Sequence, residues 1–348
     1  MNAKELMLKI DIPEEFSERA CSYLDSINMS EYESEIDLLL SRDTCTEGYK
    51  LLTERLGEDI GGVKIFAIEI TAAARAYDTY KRLGIPDEIY FDTMRAFRRQ
   101  LYESYTDEYG FVFDRGSWDV RHVSASLFRI GVLEYAPDNK YGEDVIAVHI
   151  PSDAVMTDEA LDASFKLARE FFKKYCPEYG KARICAGTWL LSPRLREILP
   201  EESKILKFQK RFHIERELDG ESCIRWVFGI NGKDIKDIDL TALSEKTSLQ
   251  RAIKAKLLSG EAIGGAYGIY KEDESVGKIP LGKYRHYKGN LYEVIAIGKH
   301  SESLEDMVVY RALYGEGGVW VRPAYMWSQL VRVRGDMVKR FEYIDKQP

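Results

Sequence analysis

Apolar residues crowd residues 145–150, residues 151–156 supply turn chemistry around Pro151, and Thr157 opens the next helix. That helix carries Ala160, Leu161, Ser164, Phe165, Ala168, Phe171 and Phe172 on one face, the spacing of a helix laid on a sheet. A second strand is predicted over residues 183–190, followed by Pro193, Pro200 and a short helix that starts at Ser203, with Leu206, Phe208 and Phe212 apolar. Strand, helix and strand in this order predict a crossover between two parallel strands, whose C-terminal ends lie beside a helix N-terminus.

The chain before this stretch reads as helices. Phe16, Ala20, Tyr23, Leu24 and Ile27 share one face, and Thr46 is placed to cap a short helix ending at Gly57. Val63, Phe66, Ala67, Ile70, Ala74 and Tyr77 mark a long amphipathic helix stopped by Gly84 and Pro86, and Met94, Phe97 and Leu101 mark another. Trp118 and His122 lie four apart on a further helix, which leads into a strand over residues 127–135 with Phe128, Ile130, Val132 and Glu134 facing one way. After the central stretch, residues 222–229 read as a strand closed by an Asn231-Gly232 turn. Residues 248–258 read as a helix, and residues 260–282 as a glycine-rich connection holding one short strand at 266–270. The last segment changes period: short alternating strands at 291–297, 307–313, 319–322 and 329–333, with glycine turns between them, predict a small β-barrel or curled sheet.

At 348 residues the chain has room for two or three domains, and its 45% apolar and 31% charged residues are those of an ordinary globular protein. A net charge of -8 argues against nucleic acid as partner of the whole chain. Arg285, Lys288, Arg311 and Arg322 with the Tyr and Trp of the last segment would suit single-stranded nucleic acid, which the acidic whole argues against; the same rings suit a ligand surface or the core of a small barrel. Five cysteines without a C-x-x-C pair suggest neither a disulfide framework nor a zinc site, and His286 and His300 have only Glu302 nearby, so no metal is expected. No signal-peptide pattern or long apolar run is evident, so a soluble protein of the cytoplasm is expected, with no membrane partner.

Three residues stand out chemically. Glu134 sits among apolar neighbours; buried, it must be hydrogen-bonded or have a raised pKa, either of which suits a general base, whereas at a strand end it is a surface residue. His149 ends the first parallel strand, where its ordinary pKa suits a general base. Cys185 on the second strand reads either as a site residue or as an inert buried thiol.

The motifs LFRIGVLEY (127–135), HIPSD (149–153), SFKLAREFF (164–172), CAGTWLLSPRLREILP (185–200) and SKILKFQKRFHI (203–214) resemble bacterial GNAT-like N-acyltransferases, in which a helical domain precedes a GNAT-like domain. The stretch beginning YRHYKGNLYEV is similar to a separate short bacterial family of unknown function. The resemblance implies a helical domain over 1–126, an α/β GNAT-like mixed sheet with helices over 127–270, and a small all-β barrel-like domain over 279–337. It implies transfer of an acyl group from acetyl-CoA or another acyl-CoA to an amine-type small molecule, for which the residues singled out above offer His149 or Glu134 as base. The pantetheine arm would lie between the two parallel strands, near Ile150, Ser152 and Cys185, and the pyrophosphate at the Thr157 helix start. Two features depart from the wider superfamily. The loop after His149 has no glycine and places Asp153, Asp158 and Glu159 near the helix start. Gln209 stands where a tyrosine commonly protonates the leaving thiolate, and a glutamine is no acid. These departures favour the alternative, a non-catalytic GNAT-like sensor for another small ligand, with the β module as accessory.

Overall fold

The first part of the chain folds around one alanine-rich helix. Helices α1 (Ala3–Lys9), α2 (Glu14–Ser26), α3 (Glu33–Leu39) and α4 (Cys45–Leu56) lead to α5 (Val63–Arg82), whose Ala67, Ala72, Ala73 and Ala76 are fully buried and let neighbouring helices approach closely. Phe66 of α5 meets Phe16, Phe97 and Phe113 edge-on, and a fully buried phenylalanine contributes about 1.5–3 kcal/mol. Gly62, just before α5, has φ 69°, and a Cβ there would come within 1.9 Å of the Phe113 carbonyl oxygen. Only glycine allows this approach, which pins the chain between α6 (Asp87–Glu103) and α7 (Gly116–Val123). The cap of α4 is Thr44, two residues ahead of the expected Thr46. The structure is a computed structural model that describes residues 1–220, 222–230, 235–271, 279–301, 306–327, 330–333 and 336–344. It divides into two compact units, Met1–Tyr270 and Lys271–Pro348.

A six-stranded mixed sheet completes the first unit, in the order β1-β2-β3-β4-β6-β5. The expected continuous strand over 127–135 is instead a hairpin of β1 (Phe128–Ile130) and β2 (Leu133–Lys140), turned at Gly131 with φ 63°. The turn breaks the alternation, so Glu134 pairs across the hairpin with Arg129 and does not continue the face of Phe128 and Ile130. Next, β3 (Glu143–His149), α8 (Asp158–Tyr175) and β4 (Arg183–Thr188) form the predicted crossover, with β3 and β4 parallel and Thr157 capping α8 through the Ala160 N–H. Phe165 of α8 stacks on Tyr270 of the sheet with ring centres 3.8 Å apart.

Helix α9 (Lys204–Lys210) starts after its cap Ser203 and gives way at Phe212 to β5 (Phe212–Leu218), where the spacing of Leu206, Phe208 and Phe212 predicts continued helix. The segment expected as a strand at 222–229 is the helix α10 (Ser222–Phe228): Cys223 and Ile224 are buried and Val227 packs beside them, a helical i, i+3/i+4 grouping. Helix α11 (Ser248–Leu258) carries a Thr247/Gln250 capping box. The strand near 266–270, β6 (Gly265–Tyr270), sits inside the sheet between β4 and β5 and is no linker strand.

The second unit holds a five-stranded antiparallel sheet, ordered β10-β9-β8-β7-β13. Its strands are β7 (Gly282–His286), β8 (Leu291–Lys299), β9 (Asp306–Ala312), β10 (Val319–Pro323) and, after α12 (Ala324–Trp327) and a β11–β12 ribbon (Leu330–Val333, Asp336–Lys339), β13 (Phe341–Tyr343). Tyr284, Val294, Val308, Tyr310, Trp327 and Phe341 form its core, with Trp327 stacked on Phe341 at 3.8 Å. Many of its aromatic residues therefore fill the core. The Asn231-Gly232 turn, Glu302 and Gln329 lie outside the described residues.

Candidate active site

Strands β3 and β4 pair in parallel from Val145↔Arg183 to Ala147↔Cys185, and there the pairing ends. β3 runs on to His149 paired with β2, and β4 runs on to Thr188 paired with β6, so the two strands part and leave facing edges unpaired with each other. A cavity of about 400 Å³ opens at this point. Val148, His149, Ile150, Pro151 and Ser152 form one wall and Gly187, Thr188, Trp189 and Leu190 another. The helical half closes it with Arg99, Gln100 and Glu103 of α6 and with Ser117 and Trp118 of α7; α10 adds Arg225 and Trp226.

His149 and Glu134 are directly opposite each other across β2 and β3. The His149 ring meets Trp118 edge-on at 4.9 Å, and its Nε2 is shielded from solvent and has no hydrogen-bond partner. Burial, with help from the nearby Arg121 cation, pushes its pKa down to about 4, so the imidazole is neutral near pH 7 with an open ring nitrogen.

Glu134 is buried at 2% exposure, which answers the question left open by the sequence. Arg99 Nη2 donates to its Oε1 at 2.6 Å, and His122 Nε2 lies 3.6 Å from the same oxygen. Burial alone would raise its pKa, but His122 and then Arg99 outweigh it and hold the carboxyl far below the ordinary range. A carboxylate held this tightly stays ionised and hydrogen-bonded beside His149. Behind it, His122 Nδ1 is 3.1 Å from Asp119 Oδ1, which also accepts from Gln100 Nε2 at 2.7 Å. For His122, burial disfavours the charged form, yet Glu134 and Asp119 together raise its pKa.

Of the other residues singled out, Ile150 and Ser152 line the cavity, and Ser152 Oγ donates to Glu103 of α6. Thr157 caps α8, and near that helix start Asp153 pairs with Arg129 and Asp158 shares Arg211 with Asp162, while Glu159 makes no ion pair among the described residues. Arg211 is shared by two carboxylates and Glu159 adds a third, so the helix start keeps a net negative charge that an incoming anion meets. Cys185 is packed with Val145, Ala147, Tyr267 and Ile269, and burial pushes its thiol up to about 11, so it is an inert core residue away from the cavity. Gln209 is buried with its Nε2 donating to the carbonyls of Leu190 at 2.9 Å and Ser192 at 2.8 Å. It holds the turn after β4 and does not line the cavity.

Arg99, Arg115, Arg225 and Trp226 also line the cavity, and no local pattern in the sequence marks them. Arg99 and Glu103 sit at i, i+4 on α6, a pattern common on solvated helix faces, and the short apolar run of α10 predicts a strand.

Residues 1–125 match the N-acyltransferase N-terminal domain, residues 127–270 the GNAT-like C-terminal domain, and residues 282–343 a protein family of unknown function, DUF1653. The chain thus carries, in order, the two domains of GNAT-like N-acyltransferases and this third domain. No curated protein sequence matches. The solved structure of an acyltransferase in complex with decanoyl-CoA and teicoplanin is similar over 77% of this chain and 87% of that one, at 22% identity and TM-score 0.61. An acyltransferase in complex with CoA and 10C-teicoplanin is similar over 77% and 87%, at 20% identity and TM-score 0.62. A mutant acyltransferase in complex with octanoyl-CoA is similar over 78% and 88%, at 21% identity and TM-score 0.62. The first unit has the GNAT-like acyltransferase fold. No described helix is long and apolar enough to cross a membrane.

Proposed function

We propose that the protein transfers an acyl group from an acyl-CoA to the amine of a small-molecule acceptor. The observation that carries this reading is the parting of β3 and β4 beyond Ala147↔Cys185, which opens a cavity with His149 on its wall. The free strand edges offer backbone N–H and C=O groups to an extended amide chain such as pantetheine, with Ile150 and Ser152 beside it. The acyl groups of the similar solved structures, decanoyl and octanoyl, make medium-chain thioesters the first donors to try.

A thioester supplies an electrophilic carbonyl carbon and a thiolate leaving group. His149, neutral at pH 7, takes the proton that the attacking nitrogen loses as the C–N bond forms. The C–S bond then breaks, the sulfur keeps the electron pair, and the proton returns to it from His149 or from water. Glu134, fixed by Arg99 and His122, keeps a negative charge on the strand next to His149 and favours the imidazolium formed in that step.

The rival reading, a sensor without catalysis, is favoured by Gln209, which is committed to two backbone carbonyls and can protonate nothing. Calorimetry with acetyl-, octanoyl- and decanoyl-CoA, followed by an acyl-transfer assay on an amine panel, separates the two. Binding and turnover that disappears in His149→Ala support the enzyme; binding of no CoA species defeats it.

A further inference from the structure

The cavity wall carries cations and carboxylates that mostly cancel in pairs. Arg99 is paired with Glu134, and Arg115 with Glu103. Arg225 is different: it is exposed, lines the cavity, and makes no ion pair among the described residues. Its guanidinium lies 5.4 Å from the ring centre of Trp226, and the Arg115 guanidinium lies 5.2 Å from the same ring. Arg115 Nε is in turn buried without a hydrogen-bond partner. Trp226 is 48% exposed, a large apolar surface to leave in water, and it also lines the cavity.

Two guanidinium groups lie against one indole; the Arg115 charge is met by Glu103, and the Arg225 charge is met by no carboxylate among the described residues. Arginine on an aromatic ring keeps its fork of donors free for a carboxylate or phosphate. Cys223 and Ile224, fully or nearly buried on the opposite side of α10, anchor the helix that presents Arg225 and Trp226.

We propose that Arg225 and Trp226 form a subsite for an anionic group, a carboxylate or phosphate, on the molecule whose reacting end lies at His149. The inference rests on the acyl-transfer reading and adds to it a charge requirement on the bound molecule. The anion is either a carboxylate of the acceptor or the 3′-phosphate of CoA, both of which present a pair of anionic oxygens to the guanidinium fork.

The full chain and its Arg225→Gln and Arg225→Lys variants are compared in two arms. The first measures binding of CoA and 3′-dephospho-CoA by calorimetry. The second measures KM for acyl transfer from octanoyl-CoA to α-amino acids and to the corresponding amines without the carboxylate. The expected result is a loss of about tenfold or more for Arg225→Gln, the size of one charge-assisted hydrogen bond, with Arg225→Lys retaining more. A loss for CoA but not dephospho-CoA assigns the subsite to the cofactor's phosphate. A loss for amino acids but not amines assigns it to the acceptor. An unmodified protein that binds CoA and turns over, with Arg225→Gln unchanged in both arms, overturns the subsite alone. An unmodified protein that binds no CoA overturns the acyl-transfer reading and the subsite with it.

Discussion

His149 and Glu134 face each other across β2 and β3, yet their protonation is driven in ways that keep both deprotonated at neutral pH: the histidine neutral, the glutamate anionic. The histidine is therefore a weaker base than a solvated imidazole, but it stays unprotonated to a pH well below its ordinary range. With His149 as base, the acid limb of kcat/KM should lie near pH 4, not near pH 6.5, once acid unfolding is excluded by a parallel stability measurement. A limb at pH 6.5 would mean that His149 titrates as a solvated imidazole and that burial does not govern it.

Glu134 anchors the buried Arg99 cation and lies beside the His122 imidazole. Replacing it by glutamine leaves Arg99 and His122 facing a neutral amide, and breaking a buried pair by removing one partner costs about 3–5 kcal/mol. The thermal midpoint of Glu134→Gln should fall at pH 7. Because Glu134's pKa is lowered in the folded state, its stabilisation is present above its unfolded pKa and lost as pH drops, so the gap between the two proteins should narrow in acid. A gap that stays constant from neutral pH into strong acid would contradict this.

Gln209 is a structural brace for the cavity wall. Its amide satisfies the Leu190 and Ser192 carbonyls, and its oxygen accepts from Arg196 Nε at 3.1 Å. Gln209→Ala leaves those buried carbonyls short of a donor, at about 1–3 kcal/mol for each group left unsatisfied. The expected outcome is a lowered thermal midpoint together with weaker CoA binding, because Leu190 lines the cavity. Weaker binding with an unshifted midpoint would instead place Gln209 in direct contact with ligand.

The parts of this architecture legible in the sequence were those fixed by local chemistry. The run at 145–150, the Thr157 cap and the apolar face of α8 specify strand, turn and helix within about thirty residues, and β3, α8 and β4 formed where expected. A short apolar run such as 222–229 does not distinguish strand from helix; burial of Cys223 and Ile224 against α11 and the turn after β4 decided it. The place of β6 between β4 and β5 depends on pairings across eighty residues of chain, which no local period records. The same holds for the site. Glu134 was marked as unusual, but its partner Arg99 lies 35 residues upstream on another element, and only the fold brings the two within hydrogen-bonding distance.

Glu69 gives the most direct test of the buried polar layer behind the cavity. It is fully buried on α5, neither carboxyl oxygen has a hydrogen-bond partner, and Gly116 leaves just enough room for it: a Cβ there would come within 2.5 Å of Oε1. Burial, and then the neighbouring Asp119 charge, raise its pKa well above the ordinary value, so it stays protonated in the folded state. In the unfolded chain the same carboxyl ionises near pH 4.5. The folded state therefore binds the extra proton above that pH, and stability must fall as pH rises from there towards the folded pKa. Glu69→Gln keeps the shape and removes the titration. Its thermal midpoint should decline less between pH 5 and pH 8 than that of the unmodified protein, with the advantage greatest at the alkaline end. An equally steep decline in both proteins would show that Glu69 ionises in place, against a neighbouring carboxylate and without a hydrogen-bond donor, which the geometry of this layer does not support.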